Sequence, residues 1–151
     1  MSRLALDRES GEIAWRTTVS SGSVLGGVIS ASAYADGLVF VASNEFVVSR
    51  TTLAAIDARN GDIVWSAQYG NLTYGGVAHA NGVVYVGSTS GSMYAFDAAS
   101  GELLWLDQTP GSQPIAGSPT VANGRLMVPW GYQSTLREGS SGSGGMTVYG
   151  L

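Results

Sequence analysis

The sequence predicts an all-β fold of repeated four-stranded antiparallel sheets, and three observations carry the prediction. An aspartate, a glycine four residues later and a tryptophan four residues after that recur three times at fixed spacing. Asp-Gly or Asn-Gly dipeptides, the favoured centres of two-residue hairpins, punctuate the chain between those copies. Glycine fills 22 of the 151 positions, roughly twice its usual share, yet no collagen-like triplet runs through the chain and the aliphatic residues are too plentiful for disorder.

The elements follow in order. The run from Leu4 through Asp7 and Gly11 to Trp15 returns from Ala54 through Asp57 and Gly61 to Trp65, and again from Tyr94 through Asp97 and Gly101 to Trp105. In each copy the apolar residues before the aspartate suit a strand. Small polar residues and the glycine supply a turn that needs positive φ, and the apolar-aromatic run suits a second strand. Between the copies and after the last, Asp36-Gly37, Asn81-Gly82 and Asn123-Gly124 predict hairpins, followed by strands over residues 38–42, 83–87 and 125–130. The first two of these strands are apolar on both faces and so need cover from both sides, as when sheets stack. Naming the strands of one unit a to d, the chain reads c-d, then a-b-c-d twice, then a-b-c, with residues 145–151 as the last c strand.

Units of four strands in about 40 to 50 residues, arranged radially, make a β-propeller. The thirteen expected strands amount to three and a quarter blades. Residues 1–20 form strands c-d of a first blade, 21–69 a second, 70–108 a third, and 109–151 strands a-b-c of a last blade. Propellers close with about four to eight blades, so two arrangements are open. The chain is the C-terminal part of a larger ring whose missing N-terminal part supplies the last d strand, or two copies pair into one ring.

Composition excludes several functions. Seven arginines and no lysine face eleven carboxylates, for a net charge of −4, which argues against nucleic acid or an anionic membrane as a main partner. Without lysine there is no Schiff base. Without cysteine there is no disulfide, thiolate nucleophile or covalent haem. No apolar run reaches the roughly 20 residues of a membrane span. Met1-Ser2-Arg3 leads straight into a strand-like segment, so no signal peptide is expected there.

The Asp-x-x-x-Gly-x-x-x-Trp run resembles the tryptophan-docking motif of the pyrroloquinoline-quinone (PQQ) dehydrogenase propellers, in which the indole is wedged between neighbouring blades. The likeness covers nearly the whole chain. Residues 116–124, Trp130-Gly131-Tyr132 and the closing strand are similar to the last blade of polyvinyl-alcohol-dehydrogenase-like members. The resemblance implies an eight-bladed ring outside the cytoplasm, PQQ and calcium in the complete protein, and a small alcohol as substrate. Its mechanism would be base-assisted hydride transfer to the quinone. The same blades also resemble outer-membrane-assembly lipoprotein scaffolds and sensor ectodomains, which catalyse nothing, so the site residues must decide.

Eight of the eleven carboxylates have places at the repeated turns, leaving Glu45, Asp107 and Glu138. Asn44-Glu45 directly follows strand b of the second blade, and an amide beside a carboxylate can supply oxygen ligands to a hard cation. Trp130 ends a b strand outside the docking pattern and is a candidate platform beneath a planar cofactor. Arg50 and Arg137, in b-to-c connections, can pair with an anionic group. These assign Trp130, Asn44 and Arg50 to the cofactor and Asn44 and Glu45 to the metal, with no catalytic base identified. Asp107 is placed at the outer end of a d strand and Glu138 in the final loop. Single His79, on strand a, excludes a multi-histidine metal site within one chain. The b-to-c connections are long at residues 43–51 and 131–144 but short at 88–91, and long connections often carry function. Asn71-Leu72-Thr73 matches an N-glycosylation acceptor, read as a chance match. The leading expectation is a propeller portion inactive alone. Its rivals are a non-catalytic interaction scaffold and a self-assembling unit.

Overall fold

The structure is a computed structural model that describes residues 2–21, 26–131 and 144–151. Among them thirteen strands form four antiparallel sheets. The first pairs β1 (Ser2–Leu6) with β2 (Ile13–Thr18). The second runs β3 (Ala33–Ala35), β4 (Leu38–Glu45), β5 (Arg50–Asp57) and β6 (Ile63–Gly70). The third runs β7 (Ala78–Ala80), β8 (Val83–Gly87), β9 (Ser92–Asp97) and β10 (Leu103–Gln108). The last runs β11 (Thr120–Ala122), β12 (Arg125–Trp130) and β13 (Gly145–Gly150). The strand order is that of consecutive propeller blades, two complete and two partial.

Local chemistry fixes each turn. At Asp36-Gly37, Asn81-Gly82 and Asn123-Gly124 both central residues have positive φ, the type I′ geometry that matches the twist of the flanking strands. At the Asp-x-x-x-Gly turns the aspartate Oδ1 accepts the N–H groups two and three residues on at Asp7 and Asp97, and the N–H of Arg59 at Asp57. The glycine N–H donates back to the aspartate carbonyl in all three.

The core lies between sheets rather than within one. Phe40, Ala42, Leu53 and Ala55 of the second sheet meet Val84, Val86, Tyr94 and Phe96 of the third. The third sheet's other face sends Tyr85, Met93 and Ala95 against Ile115, Leu126 and Val128. Strand β8 is therefore buried from both sides, as its unbroken apolar run requires.

Tryptophans lock these interfaces. The Trp15 indole N–H donates to the Ala58 carbonyl at 2.9 Å, and Trp65 donates to Ala98 at 2.9 Å, each reaching into the following sheet's Asp-x-x-x-Gly turn. Each ring packs directly against that turn's glycine. A Cβ on Gly61 would meet Trp15 at 2.8 Å, and one on Gly101 would meet Trp65 at 2.6 Å. The Thr17 hydroxyl adds a bond to the Gly61 carbonyl.

The second sheet differs from expectation at one end. Asn44, Glu45 and Arg50 do not sit in a long connection: the β4–β5 ladder continues through Asn44↔Thr51 and Glu45↔Arg50. Only residues 46–49 remain, as a 3-10 turn over Phe46–Val48 closed by Ser49 at positive φ. Opposite charges at the final register position extend the pairing.

Two predictions follow from these turns. The Arg59 guanidinium and N–H hold Asp57 down at about 2, while Ser10 and Ser100 lower Asp7 and Asp97 from their ordinary values. A lowered folded-state value stabilises above the unfolded carboxylate range, near pH 4, and that contribution is lost as pH falls toward 2. Asp57→Asn should therefore narrow the stability difference between pH 6 and pH 3 in denaturant titrations. Gly101→Ala, which adds a collision with Trp65 to the cost of positive φ, should destabilise by about 2 to 4 kcal/mol. Gly11→Ala has open space around it and should cost only about 1 kcal/mol.

Candidate functional site

Each blade has a turn end, carrying the a-b hairpins and c-d turns, and a connection end, where b meets c and d leads to the next a. All four sequence-assigned residues sit at the connection end, because each terminates a b strand or begins a c strand there. The structure brings Asn44, Glu45 and Arg50 together and places Trp130 in a different sheet.

Asn44 is 1% exposed. Its Nδ2 donates to the Thr73 carbonyl at 2.8 Å, and its Oδ1 accepts the Thr73 N–H at 2.9 Å and faces the Thr51 hydroxyl at 2.8 Å. Its backbone exchanges two bonds with Gly27. Thr73 extends the network: its hydroxyl donates to the Gly87 carbonyl of the third sheet and accepts from the Tyr69 hydroxyl at 2.7 Å. Burial pushes the Tyr69 phenol well above its ordinary value, so it stays neutral. Asn44 thus ties β4, β5 and the connection after β6 together, and through Thr73 reaches β8.

The clasp has a repeated backbone component. The N–H groups of Asn44, Thr89 and Gly131, each just past the same point of its b strand, donate to the carbonyls of Gly27, Leu72 and Pro114. Every b strand is so bonded to the chain arriving from the preceding d strand.

Glu45 and Arg50 form a cross-strand ion pair, with Nη2 3.0 Å from Oε2. The other carboxylate oxygen lies 3.4 Å from the Thr52 hydroxyl. The Arg50 side chain is 42% exposed, yet its Nε is buried without a hydrogen-bond partner. Beside them Phe46, Val47 and Val48 project outward, Val47 at 88% exposure. Trp130 is engaged in its own sheet. Its indole N–H donates to the Thr147 hydroxyl at 3.0 Å, and its ring covers Gly145, where a Cβ would meet it at 2.5 Å.

This donor set does not by itself fit a bound hard cation. Asn44 Oδ1, the oxygen such an ion would use, already accepts from Thr73 and faces Thr51. The Glu45 charge is balanced by Arg50, and among the described residues no group of three or more His, Asp or Glu side chains could hold a metal. Tyr132, Arg137 and Glu138 lie outside the described residues. Asp107 lies in β10, opposite Met93. His79 stacks on Phe40, centroids 5.6 Å apart and planes 4° off parallel, with a buried Nε2 that has no hydrogen-bond partner. Thr51, Thr73 and Tyr69 were not singled out by their sequence pattern. The one signal touching them was the match at Asn71-Leu72-Thr73, whose threonine is buried and fully engaged.

Repeated docking of an indole onto the next sheet's glycine turn gives the architecture its signature. The family model described as outer membrane protein assembly factor BamB, a model of PQQ-like repeats, matches residues 1–69 and 49–141. The chain belongs to the PQQ-like repeat family. It is 29% identical over 90% of its length to a polyvinylalcohol dehydrogenase of Sphingopyxis sp. (strain 113P3), of which it spans 25%. It is 31% identical over 68% of its length to a quinohemoprotein alcohol dehydrogenase of Comamonas testosteroni, of which it spans 16%. The crystal structure of BamB from Moraxella catarrhalis superposes with a TM-score of 0.65 at 22% identity, covering 84% of this chain and 36% of that one, which shows the shared propeller fold. The chain thus spans about a quarter or less of these curated relatives. Among the described residues no helix is long and apolar enough to cross a membrane.

The clasp and the ion pair make different predictions. Asn44→Ala leaves a buried N–H and carbonyl of Thr73 unpaired and should lower unfolding stability by about 2 to 4 kcal/mol. Glu45→Gln, at a partly exposed pair, should change it by less than about 1 kcal/mol. Thermal and urea denaturation of the two variants check the contrast.

Proposed function

We propose that this chain supplies consecutive blades to a PQQ-dependent alcohol-dehydrogenase-type propeller acting outside the cytoplasm, with the remaining blades completing the ring. The observation that carries the reading is the docking geometry of Trp15 and Trp65, taken together with dehydrogenase relatives that match across most of the chain. On this reading the connection end faces the cofactor. Arg50 is the half-exposed cation offered to the quinone's carboxylates, Glu45 tunes and orients it, and Trp130 is the aromatic surface of the last sheet. Asn44 positions the strand ends beneath them. A bound quinone would supply a two-electron acceptor for an alcohol's hydride, and a calcium ion beside it would take its ligands from the other blades, because Asn44 and Glu45 are already engaged. This chain alone holds too few ligands for that chemistry and is inactive by itself.

A second reading has its own support. The exposed Phe46–Val48 tip is an apolar projection on a loop, a feature that marks contact surfaces, and the matching family model carries the name of an assembly factor. A propeller scaffold presenting that tip to a protein partner would need no cofactor.

Titrating the purified chain with PQQ and calcium while recording tryptophan fluorescence separates the two. The dehydrogenase reading expects quenching at micromolar PQQ, weakened about tenfold by Arg50→Gln, and no alcohol-dependent dye reduction. Absence of quenching would count against it and favour the scaffold.

A further inference from the structure

Asn-Gly occurs three times in the chain, at residues 60–61, 81–82 and 123–124. Such a pair is prone to lose its side-chain amide, because the attacking backbone nitrogen belongs to a glycine with no Cβ to hinder its approach. The reaction needs a carboxamide free to swing onto the next peptide and a reachable nitrogen not committed to a carbonyl. Asn60 meets neither requirement. Its Nδ2 donates to Asp62 Oδ2 at 2.7 Å and its Oδ1 accepts the Asp62 N–H at 3.0 Å. The Gly61 N–H donates to the Asp57 carbonyl at 2.8 Å, and Gly61 is buried against the Trp15 ring. Asn81 and Asn123 meet both. Each is exposed at the first central position of its hairpin, at φ 50°. Among the described residues neither carboxamide, nor the N–H of Gly82 or Gly124, has a hydrogen-bond partner. Only three residue pairs anchor each hairpin on its short strand, Ala78–Ala80 or Thr120–Ala122, so the turn opens locally at little cost.

We propose that Asn81-Gly82 and Asn123-Gly124 are sites of spontaneous deamidation, that Asn60-Gly61 is protected, and that isoaspartate at position 81 selectively loosens the Trp65 junction. The Gly82 nitrogen, its proton taken by base, attacks Cγ of Asn81 and expels the amide nitrogen as ammonia, closing a succinimide ring. Water then opens the ring. Cleavage between the nitrogen and Cγ gives aspartate. Cleavage between the nitrogen and the main-chain carbonyl carbon gives isoaspartate, in which the backbone runs through the side chain. One water is consumed and one ammonia released, with no change of oxidation state.

The two products differ in what they do to the fold. Asp36 already holds the matching position of the second sheet's hairpin at φ 50°, so an aspartate at position 81 fits the turn. Isoaspartate adds a backbone carbon to a two-residue loop whose twist must match its strands, and it displaces Gly82. The Gly82 carbonyl accepts the Ala98 N–H at 2.8 Å, and the Ala98 carbonyl in turn accepts the Trp65 indole N–H at 2.9 Å. The preceding junction is built alike, from Gly37 through Ala58 to Trp15. Its hairpin begins with Asp36, which has no amide to lose. Deamidation therefore reaches one docked tryptophan and spares the other, whatever the chain binds.

Peptide mapping by mass spectrometry of the 151-residue chain, aged in mildly alkaline buffer, tests it. In the folded chain Asn81 and Asn123 should convert at least about tenfold faster than Asn60. In guanidinium chloride all three should convert at similar rates, which separates the geometry from the dipeptide's intrinsic chemistry. In aged protein carrying isoaspartate at position 81, indole hydrogen exchange should speed up at Trp65 and stay slow at Trp15. The variant Asn81→Asp, with the charge but without the extra backbone carbon, should leave both slow. Equal conversion of Asn60 and Asn81 in the folded chain, an Asn81 that keeps its amide while the unfolded chain loses it, or a Trp65 indifferent to isoaspartate would overturn the proposal.

Discussion

An indole laid over a glycine and hydrogen-bonded to the carbonyl three residues before it is the contact on which the rest of this structure depends. Each blade is a small sheet with two apolar faces and could not persist alone in water. Its faces are buried only if the next blade arrives at a fixed angle and height. Trp15 and Trp65 set that height from the outer strands, and Trp65 itself packs against the apolar cluster between the second and third sheets. The aspartate at the head of each turn holds the loop in shape, and the glycine removes the Cβ that would block the ring. A large, planar side chain with one polar edge can fill the gap and fix the register at once.

The connection end is organised by polar contacts instead. Asn44 is buried where a ligand would have to be reachable, and it spends its amide on Thr51 and Thr73. The chemistry available to solvent lies one residue further, in the Glu45–Arg50 pair and the apolar tip beyond it. Alcohol dehydrogenases and an assembly factor share these repeats, which is intelligible if the docking end is common and the connection end is where members differ.

Much of this was legible from residue spacing. The Asp-Gly-Trp period located the c-d turns, and the Asp-Gly and Asn-Gly pairs located the a-b hairpins, because both depend on local backbone demands that few residues satisfy. The candidate site was less legible because its contacts join distant positions. Asn44 and Arg50 read as loop residues, since nothing within nine consecutive residues reveals that Glu45 will face Arg50 across a ladder. Thr73 looked like half of a modification signal and is the centre of the clasp. Trp130 stood outside the docking pattern, and its partners Gly145 and Thr147 lie a strand away. That Trp15 and Trp65 each cover the turn of the following sheet is a three-dimensional fact that the spacing alone does not carry.

Hydrogen exchange of the indole N–H groups, followed by nuclear magnetic resonance on dilute chain, tests the docking account most directly. The account predicts strong protection for Trp15 and Trp65, whose protons are held by the Ala58 and Ala98 carbonyls. Fast exchange at Trp15 and Trp65 would contradict it.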